Sequence, residues 1–212
     1  MQKTLPQIIE SIYIASHGGQ YLDETAVPAE ALAPKVDEAR GIVLAAKWRK
    51  DRRVHPSWVQ VFHPEYIEEA QEERGCSSFI CPPFLDFGLN RDGLQYVGAE
   101  NCPENFVRIW DRVTLATQQK HPVMKSGRRI LVMWEGGKLL VYSKLKVLKL
   151  EVTGVFSSPT DIPTYNKDKD YYPADVESVE LIEQYVREKY MLMTLKTPQD
   201  NKSDSTPVMT GK

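Results

Sequence analysis

Two apolar runs separated by a Gly-Gly pair place the strongest restriction on how this chain can fold. Residues 130–135 and 138–143 are rich in β-branched, aliphatic and aromatic side chains, and Gly136-Gly137 lies between them. A two-residue turn between antiparallel strands needs positive φ angles, which glycine adopts without steric cost. The sequence therefore predicts a tight β-hairpin over residues 130–143.

The sequence around this hairpin is also of β type, from residue 79 to residue 159. Val, Ile, Leu and aromatic residues are concentrated in the stretches LQYVGAE, FVRIWDRVTLAT and KVLKLEVTGVFSSP, and Gly, Pro and Asn separate them. This composition and spacing are typical of several strands joined by turns. We expect a central antiparallel β body.

Helical periodicity precedes and follows this body. Residues 4–17 predict a short amphipathic helix with one apolar stripe: Leu5, Ile8, Ile9, Ile12 and Tyr13. A longer helix is predicted to start near Pro28 or Pro34, because proline is tolerated in a first turn. Its predicted buried stripe consists of small and β-branched residues: Val36, Ala39, Val43 and Ala46. Asp175 is a predicted N-cap for a third helix over 176–193.

These elements predict an α+β fold, with N-terminal helices, a central antiparallel β body, a C-terminal helix and an extended tail. We expect one structural domain with a helical region over 1–55 and a β-rich body over 56–160. A loop and the C-terminal helix, 161–195, would pack on the body, and 196–212 would form the tail. The polar stretch 157–175 is long for a loop in a compact domain, which indicates a functional or partner-ordered segment.

Charge and hydropathy narrow the range of partners. The 27 basic and 29 acidic residues give a net charge of −2, so any grip on a polyanion must be local. No run of about 18 apolar residues is present, so no membrane span is predicted, and the N-terminus lacks the apolar core of a secretory signal. An odd number of cysteines, three, suits synthesis in a reducing cytoplasm.

The motifs of common active sites are missing from the sequence. It contains neither a G-x-S-x-G nucleophile elbow nor a phosphate-binding glycine loop. Cys76, Cys81 and Cys102 lack the paired knuckle spacing of structural zinc sites, and the four histidines lie in turn-like surroundings. We therefore expect no enzyme activity, cofactor, metal or small-molecule substrate. A small hydrolase using Cys76 or Cys102 with a histidine is a minor alternative.

A basic run with an embedded tryptophan is the one candidate interaction site. Between residues 47 and 53 the cations are Lys47, Arg49, Lys50, Arg52 and Arg53, and Trp48 lies among them. At the end of a helix such residues favour the macrodipole while remaining solvated. They could equally meet carboxylates of a neighbouring protein or contact phosphates. Spacing alone leaves these three readings open.

Five weak motifs occur in a telling order along the chain. They are DEARGIVLAAKWRKDRRVHPSWVQ, RDGLQYVGAENCPENF, KLLVYS followed by VTGVFSSPTD, DYYPADVESVELIEQYVREKYM, and QDNKSD. In this order the chain resembles the small structural virion proteins of crAss-like phages of the Bacteroidales, which include head–tail connector and collar ring proteins. The likeness covers about residues 5–205.

The resemblance implies a ring-forming head–tail connector subunit at the portal vertex, assembled in the bacterial host cytoplasm. Its partners would be copies of itself in a twelve-fold ring, the portal, and other collar and tail proteins, with a passing contact to genomic DNA. The long loop and the tail would become ordered on neighbouring subunits. The basic run would face an acidic patch on the next copy: Glu68, Glu69, Glu72 and Glu73. The alternative is a nucleic-acid-binding module that uses residues 47–53.

Overall fold

The computed structural model describes residues 2–16, 28–67, 76–88, 91–99, 106–120, 130–143 and 147–191. The described residues form four α-helices: α1 (Leu5–Ser16), α2 (Ala29–Asp51), α3 (Arg112–Gln119) and α4 (Val176–Val186). They also form eight strands: β1 (Gln60–Phe62), β2 (Tyr66–Ile67), β3 (Cys76–Ile80), β4 (Leu94–Ala99), β5 (Phe106–Ile109), β6 (Ile130–Glu135), β7 (Lys138–Tyr142) and β8 (Leu150–Gly154). The predicted α+β class, with N-terminal helices and a C-terminal helix, is confirmed.

The predicted hairpin forms the centre of a five-stranded sheet with the strand order β2-β3-β7-β6-β5. Strands β6 and β7 are antiparallel, and Glu135 pairs with Lys138 across the turn. Gly136 and Gly137 have φ angles of 59° and 80°, which matches the left-handed conformation that such a turn requires. The hairpin prediction is confirmed residue by residue.

A second sheet has three antiparallel strands in the order β1-β8-β4, with β8 in the middle. Apolar side chains of both sheets and of the segments between them share one buried cluster: Phe62, Phe79, Cys81, Phe84, Leu94, Val97, Ile130, Val132, Leu139, Val141, Val147, Leu150, Val152, Phe156 and Ile162. Within it, the rings of Phe84 and Phe156 stack with their centroids 5.0 Å apart. The predicted β body therefore consists of two sheets around a common core.

The stretch FVRIWDRVTLAT differs from the prediction, because only its first part is a strand. Phe106–Ile109 forms β5, and Arg112–Gln119 forms α3. Asp111 caps this helix, since its carboxylate accepts a hydrogen bond from the backbone N–H of Thr114 at 2.7 Å. With a helix in the connection, β5 returns to the sheet parallel to β6, whereas an all-antiparallel body was expected.

Helix α2 begins at Ala29, so Pro28 precedes it and Pro34 lies inside it. The predicted stripe is right for Val36 and Ala39 but wrong for Ala46, which is exposed, and Val43 is only partly buried. The buried face of α2 turns because the helix packs into two clusters. Leu32, Val36 and Ala39 pack with α1 and α4, and Leu44 and Ala45 pack with residues around Trp58 and Phe87: these are the two groups the helix joins.

The C-terminal helix α4 packs on the N-terminal helices, although packing on the β body was expected. Its buried residues Val179, Ile182 and Val186 share a cluster with α1 and the first half of α2. The helix ends at residue 186 and continues as a π-helical turn over Arg187–Met191. The chain thus closes its helical layer with its last described element.

Arg40 of α2 is fully buried and joins this helical layer to the rest of the chain. Its guanidinium donates hydrogen bonds to three backbone carbonyls: Pro173 at 2.9 Å, Phe156 at 2.7 Å and Trp58 at 3.3 Å. One turn earlier, Asp37 accepts hydrogen bonds from Tyr172 at 2.6 Å and from Ser158 at 2.7 Å. Burial lowers the pKa of Arg40, and the nearby Asp37 carboxylate opposes this effect.

The same contacts hold both ends of the loop 157–175 on its own chain. Ile162, Tyr172 and Ala174 are buried, and the backbone N–H of Tyr172 bonds to the carbonyl of Lys3 at 2.9 Å. The expectation that this loop is ordered by a neighbour is therefore wrong for its ends. Its middle part is exposed, and Tyr171 keeps 60% of its surface accessible.

Candidate functional site: the basic end of helix α2 and its cleft

The last residue of the basic turn of α2 adopts an unusual conformation. Arg52 caps the helix with a φ of 57°, and its backbone N–H bonds to the carbonyl of Trp48 at 2.7 Å. A non-glycine residue pays about 1 kcal/mol for this left-handed geometry. The conformation turns the chain sharply toward the short 3-10 turn at Pro56–Trp58, so the basic side chains point in several directions.

Lys47 is neutralised within its own chain. Its ammonium lies 2.8 Å from the Asp175 carboxylate and 2.7 Å from that of Glu177. Burial lowers the pKa of Lys47, but the hydrogen bonds to these two carboxylates outweigh it, and the pKa is raised overall. Lys47 therefore ties the end of α2 to the start of α4 and does not serve an external anion.

Asp175 gathers the polar contacts at this junction. It is the N-cap of α4, accepts from the backbone N–H of Ser178 at 3.2 Å, and accepts from the indole N–H of Trp58 at 2.7 Å. Partial burial raises the pKa of Asp175, but the hydrogen bonds from Lys47, Ser178 and Trp58 prevail and hold it well below its usual value. The predicted cap is confirmed, and it also fixes the basic turn.

Trp48 lies between an aromatic ring and a guanidinium. Its ring stacks on Phe87 with centroids 5.3 Å apart and an interplanar angle of 13°, and the Arg52 Cζ lies 5.0 Å from its centroid. Arg49 donates to the carbonyl of Phe87 at 3.4 Å. These contacts are internal to the subunit, so they hold Arg52 in place beside the tryptophan.

Two cations of the basic run remain available. Lys50 and Arg53 are exposed, and neither forms a hydrogen bond or ion pair with the residues that the structure describes. Arg53 borders a small surface pocket of about 680 Å³ beside His55 and Glu177. The predicted seven-residue site thus divides into internal contacts and two solvated charges.

A larger cleft opens on the other side of Arg52. It has a volume of about 930 Å³ and lies where the end of α2 meets the start of β4 and strand β5: its lining is Trp48, Arg52, Val54, Arg91, Asp92, Leu94, Gln95, Phe106, Arg108 and Trp110. Three arginines face one carboxylate, so the lining carries a formal charge of +2. We call this the cationic cleft.

Arg108 forms the wall of the cationic cleft opposite Arg52. Its Nη2 donates to Asp92 Oδ2 at 2.5 Å, and its Cζ lies 4.8 Å from the ring centroid of Trp110. The Nε and Nη1 of Arg108 are buried and have no hydrogen-bond partner among the described residues. Each end of the cleft therefore has an arginine resting on a tryptophan ring, and the guanidinium of Arg108 is only partly satisfied.

The structure brings together only part of the predicted site. Trp48 and Arg52 line the cationic cleft, whereas the acidic residues of the prediction lie outside the described residues: Glu68, Glu69, Glu72 and Glu73. Arg91, Arg108 and Trp110 were absent from the prediction. Arg108 and Trp110 are two residues apart, so an extended strand directs both to one side. That spacing was visible in the sequence, but the proximity of β5 to α2 was not.

The thiols in the described part of the chain show little reactivity of their own. Cys81 is reduced and buried, and burial raises the pKa of its thiol to about 12. Cys76 is half-buried at the start of β3, and Cys102 lies outside the described residues. Within the described ranges no cluster of three or more metal-ligating side chains occurs. Likewise, none of the helices in these ranges combines the length and apolarity needed to cross a membrane.

Comparison with known proteins gives no family assignment. No protein-family model matches this chain, and no curated protein matches its sequence. The function must therefore be argued from the geometry above and from the sequence motifs.

Proposed function

We propose that this chain is a structural virion component, a ring-forming head–tail connector subunit that links the portal of a tailed phage to its tail. Its place would be the neck of the virion, after assembly in the cytoplasm of the bacterial host. Copies of the same chain would be its main partners, in a ring matched to the twelve-fold portal, with the portal and other collar and tail proteins above and below. The order of sequence motifs described above supports this family of proteins.

One observation on the fold carries the proposal: two unlike, complementary surfaces lie at opposite edges of one sheet. The cationic cleft borders β5, which is one edge strand of the five-stranded sheet, and β2 is the other edge strand. The acidic residues Glu68–Glu73 follow β2 directly in the sequence. A head-to-tail ring requires such a pair, because each subunit must offer one surface forward and a different one backward.

The rigid joints around α2 suit the same role. Arg40 and Asp175 fix α2 to both the loop 157–175 and helix α4. A subunit with fixed relative positions of its surfaces closes a ring at a defined number of copies, since small rotations per subunit change the closure. The exposed Tyr171 in the middle of the loop is available for an adjacent ring or subunit.

Native mass spectrometry of the purified full chain, followed by electron microscopy of the virion neck, tests the proposal. We expect a twelve-fold oligomer and density for this chain beneath the portal. A protein that stays monomeric at all concentrations and is absent from purified particles would refute it.

A nucleic-acid-binding module is the second candidate, and the arginine and tryptophan lining of the cationic cleft favours it. Such a lining attracts phosphates and offers an aromatic face. DNA affinity that falls steeply with salt, and that is lost when Arg49, Arg52 and Arg53 are neutralised, would support this function over the first.

A further inference from the structure

The cationic cleft is larger and more positively charged than its own chain can balance. Within its volume of about 930 Å³, Asp92 is the one carboxylate that faces Arg52, Arg91 and Arg108. Asp92 is engaged by Arg108, and Arg52 rests on Trp48. The cleft therefore keeps unpaired positive charge beside apolar walls, among them Leu94 and Phe106.

The unmet donors of Arg108 indicate which chemistry would complete the site. A guanidinium carries five N–H donors in a planar fork, and a carboxylate matches that fork with two oxygens. Nε and Nη1 of Arg108 are shielded from solvent and lack partners among the described residues. Further carboxylates near Arg108 would compensate a charge that one bond to Asp92 leaves incompletely paired.

The lining favours an acidic peptide over a nucleic acid. Phe87 and Arg52 already contact the ring of Trp48, and Arg108 contacts that of Trp110, so little free aromatic face is left for stacking bases. Asp92 in the wall would repel phosphates. Trp110 keeps 48% of its surface accessible, which a peptide with apolar and acidic side chains would cover.

The chain itself contains a segment of this chemistry. Residues 68–75, the acidic run, have the sequence EEAQEERG, with four glutamates and one arginine. The run connects β2 to β3, and Ile67 pairs with Ser78 at its base. A connection of eight residues that leaves and returns at one place extends by at most about 13 Å.

Within one subunit the acidic run and the cationic cleft are poorly placed to meet. Strands β2 and β5 are separated by four strand steps, which amounts to about 19 Å across the sheet. The reach of the acidic run is shorter than this separation. A neighbouring copy, whose β2 edge faces the β5 edge, would present the run directly to the cleft.

We propose that the cationic cleft receives the acidic run of a second copy of this chain, with its glutamates against Arg52, Arg91 and Arg108. The proposal rests on the ring function proposed above and assigns the contact that builds the ring. It makes Arg91 and Arg108 specificity-determining residues for self-association, and it gives Trp110 the role of an apolar cover. Lys47 has no part in it, because Asp175 and Glu177 neutralise it.

Charge reversal in the full-length protein tests the inference. Arg91→Glu should weaken self-association at least tenfold, as measured by native mass spectrometry and by light scattering across a concentration series. Adding Glu72→Arg to Arg91→Glu in the same chain should restore most of the oligomer, because the two reversed charges again attract. Lys167→Glu, an equal charge change in the exposed loop, serves as the matched control and should assemble like the wild type.

The possible outcomes separate the inference from the proposed function. Circular dichroism and urea midpoints equal to the wild type must first show that each variant is folded. Rings formed by Arg91→Glu at the wild-type yield would overturn the inference and leave the connector function standing on another contact. A monomeric wild type would overturn both. Unchanged assembly together with loss of salt-dependent binding to a DNA duplex would overturn the inference in favour of a nucleic-acid site.

A proximity measurement decides the same point without relying on charge. A photoreactive amino acid placed at Trp110 should cross-link to residues 68–75 of another copy when the protein is assembled. Mixing isotopically light and heavy subunits identifies cross-links between copies. Cross-links from this position to other segments alone would contradict the inference.

Discussion

Replacing the buried Arg40 with methionine should strongly destabilise the fold. Methionine has a similar length and keeps the apolar packing of the side chain, but it offers no hydrogen-bond donor. The backbone carbonyls of Pro173, Phe156 and Trp58 would lose their partner. Asp37 would also lose the nearby positive charge that now faces it.

The distances set the size of the effect. The bonds of 2.7 Å and 2.9 Å are full charge-assisted hydrogen bonds, each contributing roughly 1.5–3 kcal/mol, and the third, at 3.3 Å, is weak. Removing the charge also removes its desolvation cost, which offsets part of the loss. We expect the free energy of unfolding to fall by about 3–5 kcal/mol, a large share of the stability of a typical domain.

Urea titration followed by far-ultraviolet circular dichroism measures this loss. Limited proteolysis adds a local readout, because two of the three carbonyls flank the loop 157–175, and cleavage within its exposed middle should accelerate. Arg53→Met is the matched control, since Arg53 is exposed, and it should change the stability by less than about 0.5 kcal/mol. A loss below about 1 kcal/mol in Arg40→Met would show that the guanidinium is not the joint between the layers.

Three further predictions concern separate parts of the fold. Asp175→Asn should cost about 1–2 kcal/mol at pH 7. Because the folded-state pKa of Asp175 is depressed, this stabilisation is present above the unfolded pKa near 4 and disappears as the pH falls below it, so wild-type and variant urea midpoints should converge in acid. Cys81, with a pKa of about 12, should react with iodoacetamide at pH 8 only after unfolding, as peptide mass spectrometry would show. Gly137→Ala should lower stability by about 1 kcal/mol in urea titration, since its φ is 80° although no atom lies within 4 Å of the added Cβ.

Each of these predictions has a result that contradicts it. Midpoints that stay separated down to pH 2 would mean that the Asp175 charge is not the source of the difference. Rapid labelling of Cys81 in the native protein would show that its strand opens readily. A neutral Gly137→Ala variant would indicate that the hairpin turn tolerates another turn geometry.

Local patterns in the sequence were sufficient for the elements whose structure depends on near neighbours. The stripe of α1, the Gly136-Gly137 turn and the Asp175 cap each depend on residues within a few positions. All three form as expected. Helix α3 was misassigned because Val113 and Thr114 favour strands by composition, whereas the cap at Asp111 decides for a helix.

The candidate site was harder to predict because it depends on contacts between distant segments. An arginine in a helix is ordinarily placed at the surface, and nothing near Arg40 in the sequence indicates its three distant acceptors. For the same reason Lys47 was assigned to an external contact, although its partners lie more than 120 residues away. The lining of the cationic cleft combines three segments whose proximity is a property of the tertiary fold.

The position of β8 has a consequence for how a cell makes this protein. Strands β1 and β4 both pair with β8, which is synthesised last of the three. Until Leu150–Gly154 leaves the ribosome, these two earlier strands have no ladder partner, and their backbone groups stay open to chaperones and proteases. Prematurely terminated chains would lack the whole small sheet and be degraded, so only completed subunits would enter the pool available for assembly.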